Sequence, residues 1–267
     1  MLLSEGSKKV QSLDEIEPIH VVGEIFHEVS DQVWIESNLF GFDLSITKLT
    51  IFMWIASTIL LGITFSVRNN LHLVPKGRLA QGLEAIVQFI RDDIVKPNLH
   101  DDWKGFMPLF STFFFFVLIN NAIGMVPYLA NPTGSLSVTG MLAGMTFLTI
   151  IFGGIRKNGI GGFLRSFVPP DVPAFILPII VLAEVLGLFT KSFALAIRLF
   201  ANMIAGHIVI LTLFGLIYIL QSWLLAPFTI ITNLAMSILE VLIVLIQTYV
   251  FTYLSAIFVG MSVHPEH

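Results

Sequence analysis

No cysteine occurs among the 267 residues, which removes disulfides, thiolate metal sites and cysteine nucleophiles from consideration. Charge is the next scarcity: Asp, Glu, Lys and Arg make up 12% of the chain, against about 25% in an ordinary soluble domain. Hydrophobic residues fill 55% of it and the mean hydropathy is +0.87, the composition of a lipid-embedded protein. What charge exists is uneven. Nine of the eighteen acids lie between Glu5 and Asp43, ahead of any long apolar run, so the net charge of −4 describes no single region. The first thirty residues also lack the basic start and apolar core of a secretory signal peptide, which leaves insertion to the internal spans.

A hydrocarbon layer about 30 Å thick needs about 20 apolar residues of helix to cross it. Three segments fit that template and predict transmembrane helices over 47–68, 106–127 and 136–155. Between the first two, Leu79, Leu83, Ile86, Val87, Ile90 and Ile94 recur at helical spacing, opposite Arg78, Gln81, Glu84, Gln88 and Arg91. This pattern predicts an amphipathic helix over 76–97, lying in the membrane interface; a short helix packed on a partner satisfies the same pattern. Six Lys and Arg between Arg68 and Lys104, three between Arg156 and Arg165, and none between Met125 and Leu136 put the basic loops, including 156–172, on the cytoplasmic side. The acidic segment 1–46 then lies outside and the tail 264–267 inside.

Two further runs exceed the template. Residues 173–220 are apolar and helix-compatible almost throughout, and Lys191-Ser-Phe-Ala-Leu-Ala-Ile-Arg198 holds no Gly, Pro, Asn or Asp that would turn the chain back. A single helix of that length measures about 70 Å and must tilt steeply to stay in lipid. Residues 226–263 pose the same problem and predict a second tilted helix. The expected fold is an all-α integral membrane protein with about five embedded helices plus one interfacial helix. Its last two helices would be long and inclined against a wide partner.

After Arg198 the only fixed charge before Glu266 is Glu240. A charged side chain at mid-membrane costs about 2.5 to 3.5 kcal/mol on insertion scales, so such groups ask for a function. Glu184, Lys191 and Arg198 stand seven apart, with Gly187, Ala194, Ala201 and Ala205 on the same stripe and Asn202 beside it, a face suited to close approach by another helix. A snorkelling anchor is the plainer reading of Arg198, but it accounts for neither the small stripe nor the missing turn. Arginine does not deprotonate in proteins, so it can only govern a carboxylate. Glu184 lies about 21 Å away along the helix, too far to pair. Unless Glu240 folds across, the counter-charge must come from a second chain.

His207 falls on the face opposite Arg198, and Asn233, Glu240 and Gln247 share a heptad stripe with Ser237 one turn before Glu240. His207 and Glu240 suit either a proton-uptake relay or a plain interhelical hydrogen bond; two ligands are too few for a usual metal site. Asn120, Asn121, Asn131, Thr133 and Ser135 offer polar groups where an outer vestibule would be wet, and capping explains most of them equally well. The glycines of 153–162 follow no strand and precede no Gly-Lys-Ser/Thr, so no phosphate loop is expected. No cofactor, metal or nucleic-acid partner is called for. His264-Pro-Glu-His267 reads as a short disordered tail.

The run Ala194-Leu-Ala-Ile-Arg-Leu-Phe-Ala-Asn-Met-Ile-Ala-Gly-His207 resembles the signature of subunit a of F-type ATP synthases. Glu184 and Lys191 upstream, Asn121 in Asn-Ala-Ile-Gly-Met-Val-Pro127, and Glu240 with Gln247 agree with it, and the likeness covers about residue 47 to the C-terminus. The resemblance implies a proton-conducting stator partnered by a c-subunit ring, a b-subunit stalk and, through the complex, the F1 sector; with no transit peptide visible, a bacterial inner membrane is expected rather than an organelle. Arg198 would face the ring carboxylates and keep a pair of offset half-channels separate. Asn202, His207, Glu240 and Gln247, with Asn121 nearby, would line the periplasmic one, and Glu184 and possibly Lys191 would border the cytoplasmic one. In that family the acid and histidine of the relay exchange places between members. A secondary ion antiporter is the rival, but it should show inverted repeats and broken helices, and neither is visible here. A membrane metalloenzyme is a third reading, which bound zinc or iron would favour.

Overall fold

The computed structural model describes residues 33–35, 38–39, 42–43, 45–68, 78–126, 129, 131–168, 173, 175–220 and 226–265. Most of the acidic segment 1–46, the end of the basic loop at 169–172 and the last two residues of the tail lie outside them. Four short strands open the described chain: β1 (Val33–Ile35), β2 (Asn38–Leu39), β3 (Phe42–Asp43) and β4 (Ile46–Thr47). β1 pairs with β4 and β2 with β3, both antiparallel. These pairings have no counterpart in the sequence reading, because strands of two or three residues carry too little alternation to register as a period.

The regular elements described after them are helices, among them α1 (Lys48–Arg68), α2 (Arg78–Phe89), α3 (Lys96–Leu99), α4 (Trp103–Gly124), α5 (Leu136–Arg165), α6 (Leu177–Leu220) and α7 (Ala226–Val263). The chain is an all-α membrane protein. Five stretches among the described residues are long and apolar enough to cross a membrane: Lys48–Phe65, Ala80–Gly124, Leu136–Arg165, Leu177–Leu213 and Pro227–Val263. Their outer faces stay apolar, as in Trp54, Phe152, Phe193 and Ile238, each more than half exposed. A face of that kind suits lipid, where helix contacts are made by packing and small residues rather than by expulsion of water.

The core lies where α4, α7 and the chain before α4 meet. Phe110, Phe113 and Val117 of α4 pack with Phe251, Ala256 and Val259 of α7, and the rings of Phe113 and Phe251 meet edge to face at 6.0 Å. Under them lies a π-helical turn, Ile90–Val95, that continues α2 into α3. Ile90, Ile94, Val95 and Leu99 are fully enclosed, so the second half of the amphipathic stretch is docked on the bundle, while Gln81, Glu84 and Gln88 of its first half stay exposed.

α5 also runs past the boundary drawn from sequence. It turns at Gly159, whose φ of +71° suits a residue without Cβ, and resumes through Arg165, so much of the stretch read as a loop is helical. Near this kink the C-terminal end of α7 is tied down. Asn158 donates to the carbonyls of Ser262 and Val263 at 3.1 and 3.2 Å, and Ser262 Oγ donates to Ile150 O at 2.8 Å. Asp102, just ahead of α4, meets Lys157 Nζ at 2.6 Å and His264 Nε2 at 3.1 Å. His264 is therefore held in place, where sequence alone suggested a free tail. Asp102→Asn should lower the thermal midpoint of the purified complex by the equivalent of about 1 kcal/mol, the range for a partly exposed ion-pair network. An unchanged midpoint would show the cluster to be ornamental.

Candidate functional site

Three contacts fix how α6 and α7 lie together. Lys191 Nζ stands 5.7 Å from the ring centroid of Phe258. Asn202 Nδ2 donates to Gln247 Oε1 at 2.7 Å. A Cβ built on Gly206 would come to 2.9 Å from Glu240 Oε1. As the residue number rises along α6 its partner's number falls along α7, so the two helices run antiparallel, side by side through the polar stretch. Both are continuous: α6 spans 44 residues and α7 spans 38. At 1.5 Å per residue they measure about 66 and 57 Å, twice the thickness of a hydrocarbon layer.

The heptad stripe of α7 faces inward. Asn233, Glu240 and Gln247 are all buried, with 5%, 7% and 4% of their surface exposed. Among the described residues, neither end of the Asn233 amide nor Glu240 Oε1 has a hydrogen-bond partner. His207 follows the glycine that Glu240 overlies and interacts electrostatically with it, yet its buried Nε2 has no hydrogen-bond partner among the described residues either. Among the described residues no hydrogen bond joins His207 to Glu240, so a plain interhelical bond does not account for the pair. Two adjacent titratable groups with free valences can each take or give a proton through an intervening donor or acceptor.

Arg198 is placed differently. It is exposed, as are Ala194, Ala201 and Ala205 of its stripe, and among the described residues no carboxylate pairs with it. Glu184 is exposed as well, while Lys191 is half-buried against Phe258. Ser192 beside it is buried, and its Oγ has no hydrogen-bond partner among the described residues. The structure thus divides the residues singled out from sequence into two groups. Asn202, Gln247, His207 and Glu240 meet at the α6–α7 seam, whereas Arg198 and Glu184 look outward. Asn121, on α4, is completely buried, and among the described residues no hydrogen bond joins it to His207 or Glu240.

With this geometry in hand, likeness to known proteins becomes informative. The model of the ATP synthase A chain family matches residues 50–260, from the first span to the last turns of α7. The chain belongs to the ATP synthase subunit a family. It is 45% identical over 232 residues, 85% of its length and 69% of the relative's, to ATP synthase subunit a of Chloroherpeton thalassium. To the subunit a of Myxococcus xanthus it is 44% identical over 228 residues, covering 84% of this chain and 75% of that one. The family match reaches all five membrane-length stretches of this subunit a chain and leaves out the whole of the acidic segment 1–46.

Two residues at the seam carried no signal in the sequence. Phe258 is one aromatic among many, and its place over Lys191 depends on the helix register. Gly206 was one small residue in a small-residue stretch, yet its bare Cα is what allows the Glu240 carboxyl to lie against α6. Gly206→Ala would push that carboxyl aside by rotating a flexible side chain, leaving the backbone as it is. If that carboxyl transfers protons, displacing it by a fraction of an ångström to one ångström should slow proton flux through the reconstituted complex by about tenfold. Normal flux in a fully assembled Gly206→Ala complex would show that the close approach is not used.

Proposed function

We propose that the chain is the proton-translocating stator subunit of the Fo sector of an ATP synthase, passing protons to and from the carboxylates of a rotating c-subunit ring. The observation that carries the reading is Arg198: an exposed cation on a stripe of alanines, in the middle of an apolar helix, with no carboxylate of its own chain beside it among the described residues. A guanidinium so placed is costly in lipid. It becomes favourable when a second chain brings an acid to it, and small neighbours let that chain come close.

The steps follow from the chemistry of each group. Protons arrive from the periplasmic side past Asn121 and the α6–α7 seam, where His207 and Glu240 exchange them and the Asn202–Gln247 pair holds the two helices in register. A ring carboxylate, neutralised there, moves into lipid and travels around. When it returns to Arg198 the positive charge favours its ionised form, and the proton leaves towards the cytoplasm past Glu184, with Lys191 at the border. Arginine itself never carries the proton, so it blocks a direct passage between the two paths. The N-terminus would be periplasmic and the C-terminus cytoplasmic in a bacterial inner membrane. A b-subunit stalk and, through the complex, the F1 sector complete the partners.

Reconstitution separates this reading from that of an antiporter. Vesicles holding the whole complex should acidify on ATP addition only when this subunit is present. Ion exchange against a sodium or proton gradient by the purified chain alone, without ring or ATP, would overturn the stator assignment.

A further inference from the structure

The end of α7 is tied to three other elements at once. The His264 N–H closes the helix on Gly260 O at 2.8 Å, and at Gly260 α7 runs so near α3 that an added Cβ would meet Asn98 O. Asn158 of α5 donates to the carbonyls of Ser262 and Val263. Beside these ties lies a cluster of side chains. Asp102 Oδ2 faces Lys157 Nζ at 2.6 Å and His264 Nε2 at 3.1 Å, and the His100 ring meets the His264 ring edge to face at 5.5 Å. His100 is the one non-glycine residue with positive φ among the described residues, at 46°. Such a conformation persists only where the surroundings fix it, so the ring is held in place rather than left to drift.

A carboxylate and an ammonium keep their charges near neutral pH, whereas an imidazole changes its charge between about pH 5 and 8. Neutral, His264 turns towards Asp102 either a lone pair, which the carboxylate repels, or one uncharged donor. Protonated, it donates from both ring nitrogens, and the N–H at Nε2 meets an anion in a charge-assisted bond about twice as strong as a neutral one. His264 Nε2 and Asp102 Oδ2 are both enclosed, and neither has a well-directed hydrogen bond among the described residues, so theirs is a contact that protonation would complete. The other charges on the surrounding elements are Lys96 of α3, Asp101 beside Asp102, Lys104 over the Trp103 ring and Arg156 beside Lys157, all exposed, and Lys191 of α6 over Phe258. Water screens the exposed ones. His100 titrates in the same range, and its own charge would oppose a second proton on His264, so the two rings share one proton more readily than they hold two.

We propose that His264, Asp102 and His100 form a pH-sensitive latch that fastens the end of α7 to the start of α4 and the kink of α5. The latch is closed when His264 is protonated. Its ion pair is present below the histidine range and is lost as the pH rises through it, so the end of α7 loosens on the alkaline side. Phe258, which carries Lys191, lies six residues before His264, so what fastens this end also fastens the place where α6 meets it. In the orientation proposed above this end faces the cytoplasm and the latch answers to internal pH; the latch itself does not rest on that reading.

Amide hydrogen exchange on the intact complex tests it, read as protection of the backbone over residues 258–265 after the exchange rate of an unstructured peptide at each pH is divided out. In the native chain that protection should fall about three- to fivefold between pH 5.5 and 8, the ratio a partly exposed ion pair supports. His264→Gln, which keeps a neutral donor, should show the lower protection at both pH values, and Asp102→Asn should do the same. His100→Gln should keep the pH dependence and move its midpoint upward, because the competing charge is gone. Equal pH dependence in the native chain and in His264→Gln would overturn the latch. So would a dependence that disappears with His100→Gln and survives His264→Gln, since the wrong ring would then be the switch. No synthesis or proton flux enters this readout, so a failure of the stator reading would appear separately, in the measurements on Arg198 variants.

Discussion

Arg198→Ala is expected to abolish proton-driven ATP synthesis in vesicles carrying the intact complex while leaving assembly and thermal stability nearly unchanged. Both effects come from one observation. Arg198 is exposed and makes no ion pair among the described residues, so its removal breaks no contact of the fold and should stay within about 0.5 kcal/mol, as for other surface substitutions. In the proposed stator its function lies with a visiting acid. At about 4 Å and an effective dielectric near 20, a guanidinium favours the ionised carboxylate by about 4 kcal/mol, or about three pKa units. Without that push a protonated acid passes the position without releasing its proton, and protons slip between the two paths. Uncoupled leak should therefore rise as synthesis disappears. Continued synthesis at normal assembly would show that Arg198 does not govern the ring carboxylates.

The long helices were legible because of what their sequence leaves out. Between Lys191 and Arg198 no residue can terminate a helix, and α6 runs unbroken through that stretch from Leu177 to Leu220. Charge sparsity was equally legible, since one carboxylate in an apolar run stands out without any structure. Boundaries set by local geometry were less so. The glycines of 153–162 looked like a loop, yet α5 carries its helix to Arg165 because only Gly159 departs from helical backbone. The π-helical turn at Ile90–Val95 leaves no mark that composition or periodicity detects, since its residues are as compatible with α-helix. His264 could not be placed, because its partner Asp102 lies far away in sequence and is brought near only by the packing of α4 against α7.

At the seam the division is finer. Heptad spacing put Asn233, Glu240 and Gln247 on one face of α7, and all three turn out buried. Spacing also set His207 opposite Arg198, which agrees with a half-buried histidine and an exposed arginine. Antiparallel register is a different kind of fact. It rests on pairs such as Asn202 with Gln247 and Gly206 with Glu240, each joining residues that lie tens of positions apart, and no periodicity within one helix encodes it.

Glu240→Gln separates a structural from a proton-carrying role for the buried acid. Glutamine has the size of glutamate and keeps an oxygen where Oε1 lies against Gly206, so packing along α7 is retained. It also replaces an ionisable group that is 7% exposed by a neutral amide, which lowers the cost of burial. Stability should hold or rise. Only titration is lost, and with it, on the proposed proton path, the group that passes protons on, so flux through the complex should fall by about a hundredfold, the low end of what general acid–base groups contribute. The exchange His207→Glu with Glu240→His should restore a measurable fraction, because it returns one acid and one imidazole to the same crossing of α6 and α7. Gln247→Leu is the contrasting case: it breaks the 2.7 Å bond from Asn202 and should cost about 1 kcal/mol of stability together with a smaller loss of flux. Undiminished flux in Glu240→Gln would make this carboxyl a packing residue, and would shift the proton-carrying step to His207 and the amides around it.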